Sequence, residues 1–209
     1  MDRLIGGVYS GDLNPRNNNT KKYEKGMDFL TLATLEDATK ILAPQINEQE
    51  IRTGDKSKES QEAYLQNIAS LLEGPLLDSF LQQSQTLQKA INLWTAGDYT
   101  SASKILNDLS LKFTAAYTQL LALSVPPSWM NFHKNLLAMS LETSVNYQAL
   151  KRAEEDPILA AIALNNLSNN LPSIALSLTQ ELESLIQKNE LGISETDLLE
   201  ILKILNSEL

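Results

Sequence analysis

Two long segments with hydrophobic residues confined to one helical face dominate the middle of the chain. In the first segment, apolar residues recur at positions i, i+3, i+4 and i+7, the spacing that places side chains on one side of an α-helix. The apolar positions are Tyr99, Ala102, Ile105, Leu106, Leu109, Phe113, Ala116, Tyr117, Leu120 and Leu121. The opposite face is polar, with Ser101, Lys104, Asn107, Asp108, Lys112 and Gln119. The pattern predicts a helix that buries one face against a neighbour.

A turn with two prolines, Val125-Pro126-Pro127-Ser128, separates the two segments. Proline lacks a backbone donor and restricts the residue before it, so the first helix is expected to end before Pro126. Ser128 is the expected N-cap of the second helix. The expected core face of that helix is Trp129, Phe132, Leu136, Leu137, Met139, Leu141, Val145 and Leu150. Because so short a connection favours antiparallel neighbours, residues 98–153 are predicted to form a helical hairpin.

The chain before this hairpin is predicted to begin with a flexible polar tether, residues 1–26. A first helix is expected from Met27 to just before Pro44, followed by a polar surface connector from Ala43 to Lys56. Two further helices are expected, one opening at Ser57 and closing at Gly74-Pro75, the other running from Leu76 to Ala96 and ending at Gly97.

The chain after the hairpin contains a clear helix start, with Asp156 at the N-cap and Pro157 in the first turn. One apolar stripe then continues from Ile158 to Ile186, and Pro172 predicts a kink or break near residues 169–171. The stripe consists of Ile158, Leu159, Ile162, Leu167, Leu171, Ile174, Leu178, Leu182, Leu185 and Ile186. A last helix is expected after Gly192, from a capping box at residues 194–197 to about residue 206.

These elements predict an all-α fold with essentially no sheet. The expected architecture is a multi-helix bundle of six or seven mostly antiparallel helices, with a kinked long helix near Pro172. The expected domains are the tether, residues 1–26, and a helical bundle, residues 27–209, organised around the 98–153 hairpin.

Composition narrows the function classes. The net charge of −9 lacks the positive field that gathers phosphates, so nucleic-acid binding is not expected. The absence of cysteine excludes disulfides and thiolate chemistry. No apolar run approaches the length of about 18 residues that a membrane span needs. Two cellular locations are compatible with the sequence. The composition favours the mature form of an exported bacterial protein, and a cytoplasmic location is the alternative.

Residues able to carry chemistry do not assemble into a known site. His133 is the only histidine, and it is expected to be half-exposed and either solvated or hydrogen-bonded. Glu154, Glu155 and Asp156 are explained by the helix that they precede. The Asp55 to Glu59 segment departs from a calcium loop at two positions, and Ser101-Ala102-Ser103-Lys104 lacks the partner motifs of penicillin-interacting enzymes.

Six aromatic residues near apolar stripes are interpreted as core rather than as a ligand pocket. They are Trp94, Phe113, Tyr117, Trp129, Phe132 and Tyr147. No catalytic, cofactor-binding or metal-binding residue is predicted, and no cofactor.

Two resemblances follow from these motifs. The segment Trp94-Thr95-Ala96-Gly97-Asp98-Tyr99, with Ala102, resembles the turn of a single tetratricopeptide-like hairpin. The layout of a polar leader, the Val-Pro-Pro turn before Trp129 and the Asp156-Pro157 helix start is similar to uncharacterised exported helical-bundle proteins of small-genome bacteria. That resemblance implies a cell-envelope or surface-appendage context and no assigned activity.

The sequence as a whole predicts a non-enzymatic structural or adaptor protein that acts through contacts with protein partners of unknown identity. The alternative is a binding module that holds a small apolar ligand or lipid between its helices.

Overall fold

The computed structural model describes residues 38, 40–71 and 83–191. The chain divides into a unit of Met1–Ile41 and a unit of Leu42–Leu209. Of the first unit the structure describes only helical residues 38, 40 and 41. The predicted tether, most of the first helix, the Gly74-Pro75 junction and the final helix lie outside the described residues.

Six α-helices make up most of the described part of the second unit, which confirms the all-α fold class. They are α1 (Lys58–Leu71), α2 (Gln83–Thr95), α3 (Tyr99–Leu121), α4 (Met130–Lys151), α5 (Pro157–Asn165) and α6 (Leu171–Lys188). Helices α3 and α4 pack along each other as the predicted hairpin.

Local signals set several helix ends as expected. The backbone N–H of Ser60 donates to Ser57 Oγ at 3.2 Å, which caps α1. Gly97 follows α2 with a positive φ of 82°. The N–H groups of Asp98 and Gly97 donate to the carbonyls of Leu93 and Trp94, the paired bonds of a Schellman ending.

The expectation that Ser128 caps the second arm of the hairpin is wrong. Pro127–Trp129 form a 3-10 turn that leads directly into α4, and no side chain caps that helix. Ser128 Oγ donates instead to Gln61 Oε1 of α1 at 3.2 Å. The Ser128 hydroxyl therefore bonds to a residue that is distant in sequence, instead of capping α4 as the local pattern predicted.

The segment between residues 43 and 56 is mostly exposed, as predicted, but it contains regular secondary structure. It contains a 3-10 turn, Glu48–Glu50, and a strand, β1 (Arg52–Thr53), which pairs in parallel with β2 (Ser124–Val125). Gly54 continues this pairing by donating to the Val125 carbonyl at 2.7 Å. A Cβ at Gly54 would lie 3.0 Å from Ser124 Oγ, so glycine permits the close approach.

The predicted interruption of the long C-terminal stripe is confirmed. Between α5 and α6, Asn166–Asn170 form a π-helical turn in which the Leu171 N–H donates to the Asn166 carbonyl. Pro172 follows in the first turn of α6, where its missing N–H is tolerated. The π turn is tied to α4 because Asn166 Nδ2 donates to Asn146 Oδ1 at 3.1 Å.

Helix α4 lies at the centre of the core. Twelve of its 22 residues are buried, and it contacts α3, α5 and α6. The buried set is not the single apolar stripe that the sequence predicted, since Leu141 and Val145 are only half-buried. Five polar residues, His133, Ser140, Thr143, Ser144 and Asn146, are buried on this helix.

The N-cap of α5 gives a test of local stability. Asp156 Oδ1 accepts a hydrogen bond from the Leu159 N–H at 3.0 Å. Asp156→Ala is expected to lower the free energy of unfolding by about 1 kcal/mol, because it leaves that N–H without its capping acceptor. Urea titration followed by circular dichroism measures the change.

Glu154→Ala is the matched control, since Glu154 is exposed and precedes the same helix. Its effect is expected to stay within about 0.5 kcal/mol. Equal destabilisation by both variants would contradict the capping role.

Candidate functional site

The outward side of α5 combines an exposed isoleucine with a helix that has no charged residue. Ile158, Ala161, Ile162 and Asn165 lie at i, i+3, i+4 and i+7 and form what we call the α5 outer face. Ile158 is 59% exposed, Ala161 is exposed and Ile162 is half-buried. The sequence placed Ile158 in the buried stripe, and the structure corrects this. A helix at a protein surface normally carries polar residues on this side.

The neighbouring helix α6 follows the ordinary pattern. Its exposed positions are mainly polar, namely Ser173, Ser177, Gln180, Glu183, Ser184, Gln187 and Lys188. Leu176 is 45% exposed among them and is an isolated apolar residue. Isolated exposed apolar residues are common on soluble proteins, whereas contiguous ones mark contact sites.

Charge borders the α5 outer face at one end only. Residues 157–180 contain no Asp, Glu, Lys or Arg. Glu154, Glu155 and Asp156 are exposed immediately before the helix, and Arg152 pairs with Glu155 at 3.3 Å. The face is therefore an apolar strip with a carboxylate-rich end.

A second feature, inside the bundle, is a group of polar and aromatic side chains that joins α1 to the hairpin. We call Gln61, Tyr64, Ser128, Trp129 and His133 the Tyr64 cluster. Gln61 Oε1 accepts from Trp129 Nε1 at 2.9 Å, and the rings of Tyr64 and Trp129 have centroids 5.5 Å apart. Tyr64 Oη lies 3.0 Å from His133 Nδ1.

His133 is completely buried, so the expectation of a half-exposed histidine is wrong, although its hydrogen bond was one of the predicted alternatives. Burial lowers the pKa of His133 to about 4, because a charged imidazole loses its hydration. The pKa of Tyr64 is raised, first by burial and then by the negative charge of Glu181. Both side chains are therefore neutral at pH 7.

A polar seam runs between α3 and α4. Ser110 Oγ and Ser144 Oγ are 2.9 Å apart, and Ser144 Oγ also donates to the Ser110 carbonyl at 3.0 Å. Thr114 Oγ1 lies 2.8 Å from Ser144 Oγ, and Gln148 Nε2 donates to Ser110 Oγ at 2.8 Å. Small hydroxyl residues at helical spacing gave no separate signal in the sequence.

The other residues considered from the sequence do not converge. The described residues contain no group of three or more His, Cys, Asp or Glu side chains able to hold a metal ion. Asp156 caps α5. The carboxyl of Asp55 accepts hydrogen bonds from the side chain and the backbone N–H of Ser57, and these bonds lower its pKa. Ser101 lies at the start of α3 and donates its N–H to Asp98.

The aromatic residues considered for a ligand pocket pack against the core. Phe113 and Tyr147 stack with centroids 5.9 Å apart, and Trp129 meets Phe132 edge-on at 5.8 Å. Trp94 and Tyr117 are half-buried at the edge of the core. Burial raises the pKa of Tyr147.

No protein-family model, curated protein or solved structure matches the chain. Within the described ranges, no helix has the length and apolar character needed to cross a membrane.

The Tyr64 cluster predicts that removing the acceptor Gln61 Oε1 destabilises the fold more than removing one of its donors, the Ser128 hydroxyl. Gln61→Leu is expected to lower the free energy of unfolding by about 2 kcal/mol, because the buried Trp129 Nε1–H loses its acceptor. Chemical denaturation with Trp fluorescence and circular dichroism measures the effect.

Ser128→Ala is the control, because it removes the longer, more exposed bond to the same Gln61 oxygen. It is expected to change stability by less than about 0.5 kcal/mol. If Gln61→Leu were as mild as Ser128→Ala, the Trp129 bond would not anchor α1.

Proposed function

We propose that the protein is a non-enzymatic adaptor or structural protein that binds a protein partner through the α5 outer face. The observation that carries this proposal is the 59% exposure of Ile158 beside Ala161 and Ile162, on a helix without a charged residue. Fully burying an isoleucine side chain contributes about 1.5–3 kcal/mol relative to leaving it in water. A partner that covers this face would gain part of that free energy.

The geometry of the face favours a helical partner. Ile158, Ala161 and the outer part of the half-buried Ile162 present an apolar strip along the first two turns of α5, to which the apolar side of an amphipathic helix is complementary. The packing spacing of two helices, about 8–10 Å between axes, lets side chains of this size interdigitate.

The negative charge of the chain favours a positively charged partner. Glu154 and Glu155 are exposed immediately before α5, with Glu155 paired to Arg152, and the whole chain carries a net charge of −9. A partner helix with Lys or Arg beside its apolar stripe gains electrostatic attraction during approach, whereas an acidic helix is repelled. We therefore assign the face to a basic amphipathic helix of another protein.

A synthetic leucine–lysine amphipathic helix is the probe for this assignment, and its leucine–glutamate counterpart is the peptide control. In amide NMR spectra of the full chain, the basic peptide is expected to shift resonances of Ile158–Asn165 selectively. Ile158→Glu is expected to weaken binding at least about tenfold, which corresponds to about 1.4 kcal/mol.

Leu176→Glu is the matched variant, since it adds the same charge at an exposed leucine of α6. It should leave peptide affinity within about twofold of the unmodified chain. Tighter binding of the basic peptide by Ile158→Glu would mean that charge alone drives the contact and would contradict the proposal. A dimer that Ile158→Glu dissociates would assign the face to a second copy of this chain instead.

A small apolar ligand or lipid between the helices stays the alternative prediction. Thermal unfolding of the chain with a panel of fatty acids and phospholipids distinguishes it, because a ligand that binds the folded state raises Tm by mass action. A reproducible rise that Ile158→Glu does not affect would favour an interior ligand over the α5 outer face.

A further inference from the structure

Tyr64 and His133 form a polar bridge between α1 and the hairpin in the interior of the bundle. Tyr64 is 1% exposed and His133 0%. Tyr64 Oη lies 3.0 Å from His133 Nδ1, while His133 Nε2 is buried without a hydrogen-bond partner in the described part of the chain. Whichever neutral tautomer the ring has, protonation adds a buried positive charge and makes both ring nitrogens donors, of which the Nε2–H has no acceptor.

No carboxylate of the described residues is bonded to His133. Burial first, and then the charge of Glu181 of α6, raise the pKa of Tyr64, but the Glu181 carboxylate is bonded to Asn135, which donates to it at 3.0 Å. Lys134, the next residue of α4, pairs with Glu48 of the 3-10 turn at 2.8 Å. A protonated His133 would therefore be a buried cation without a carboxylate bonded to it, which is unfavourable.

Helix α1 is the element whose attachment depends most directly on this bridge. Its buried residues are Gln61, Tyr64, Leu65 and Ile68. Helix α4, in contrast, is tied to α3 by the polar seam and is also covered by α5 and α6. Opening at α1 would bring His133 to water without breaking the hairpin.

We propose that the Tyr64–His133 bridge is an acid-opened lock, in which protonation of His133 releases α1 while α3 to α6 stay packed. Release also uncovers Trp129, whose ring packs against Tyr64. The lock is independent of the α5 outer face and would give the protein two conformations selected by pH.

The direction and size of the response follow from linkage. Burial lowers the pKa of His133 from 6.5 to about 4 in the closed state. The contribution of neutral His133 to the stability of the closed state is therefore complete above pH 6.5. It decreases as the pH falls from 6.5 to about 4. Between pH 7 and pH 5 the equilibrium constant for opening is expected to rise about twentyfold.

The sole histidine makes the lock directly measurable in the full chain. The imidazole resonances in proton–carbon NMR spectra are expected to titrate well below pH 6.5. Hydrogen exchange, corrected for intrinsic rates, should show about twentyfold more frequent opening of α1 amides at pH 5 than at pH 7. Amides along the α3–α4 seam should change less than about threefold.

His133→Asn keeps a neutral polar atom near the position of Nδ1 and is expected to abolish the pH dependence of α1 opening. Glu181→Gln is the matched control, because it removes the neighbouring titratable group and should retain the dependence. The histidine titration of the unmodified chain needs no variant, so it tests the lock even if His133→Asn folds poorly. A midpoint at or above pH 6.5, equal loss of protection in α1 and the seam, or unchanged pH dependence in a folded His133→Asn would each overturn the proposal.

Discussion

The enclosure of α4 by its neighbours is the constraint on which the other elements depend. With α3, α5 and α6 packed around it, α4 has little surface left for water, so its polar positions are buried as well as its apolar ones. Several of those polar groups bond within the helix itself. Thr143 Oγ1 donates to the Met139 carbonyl at 2.7 Å, and Asn146 Nδ2 donates to the Glu142 carbonyl at 2.7 Å.

Polar contacts between helices then fix how the helices are aligned. Apolar packing alone tolerates sliding of one helix along another, because many apolar side chains of similar size can replace each other. The Ser110–Ser144 contact and the Asn146–Asn166 bond form only when the helices are in one register. Such bonds add about 0.5–1.5 kcal/mol each, so their larger effect is on specificity, since misaligned helices would bury them unpaired.

The elements that could be predicted from the sequence are those whose cause lies within a few residues. The hairpin, the Asp156 cap and the Gly97 helix end depend on local spacing and backbone chemistry, and the structure has them in the expected places. The strand pair could not be predicted, because Arg52 and Thr53 pair with residues far along the chain and have no alternating pattern of their own. Ser128 failed as a cap for the same reason, since its partner Gln61 is distant in sequence.

The candidate sites were missed for two further physical reasons. The sequence prediction placed Ile158 in one stripe with Leu167, but nine residues at about 100° per residue put the two side chains about 180° apart on a helix. Ile158 therefore lies on the exposed side of α5, whereas Leu167 is buried. The signal for His133 was present in the helical spacing, because it lies four residues after Trp129 and three before Leu136, on the predicted core face, and it was overlooked. The lack of charge in residues 157–180 was the readable signal for α5.

Both proposed sites are places where the chain forgoes stability that ordinary residues would supply. A polar residue at position 158 would suit its exposure better, and an apolar pair in place of Tyr64 and His133 would avoid burying an unpaired Nε2. Sequences that fold well satisfy local rules at most positions, so the exceptions concentrate where another requirement competes with stability. An exposed isoleucine suits a surface that a protein partner covers. A buried histidine meets the requirement of a fold whose stability changes with pH, because it is the one side chain whose ordinary pKa lies near neutrality.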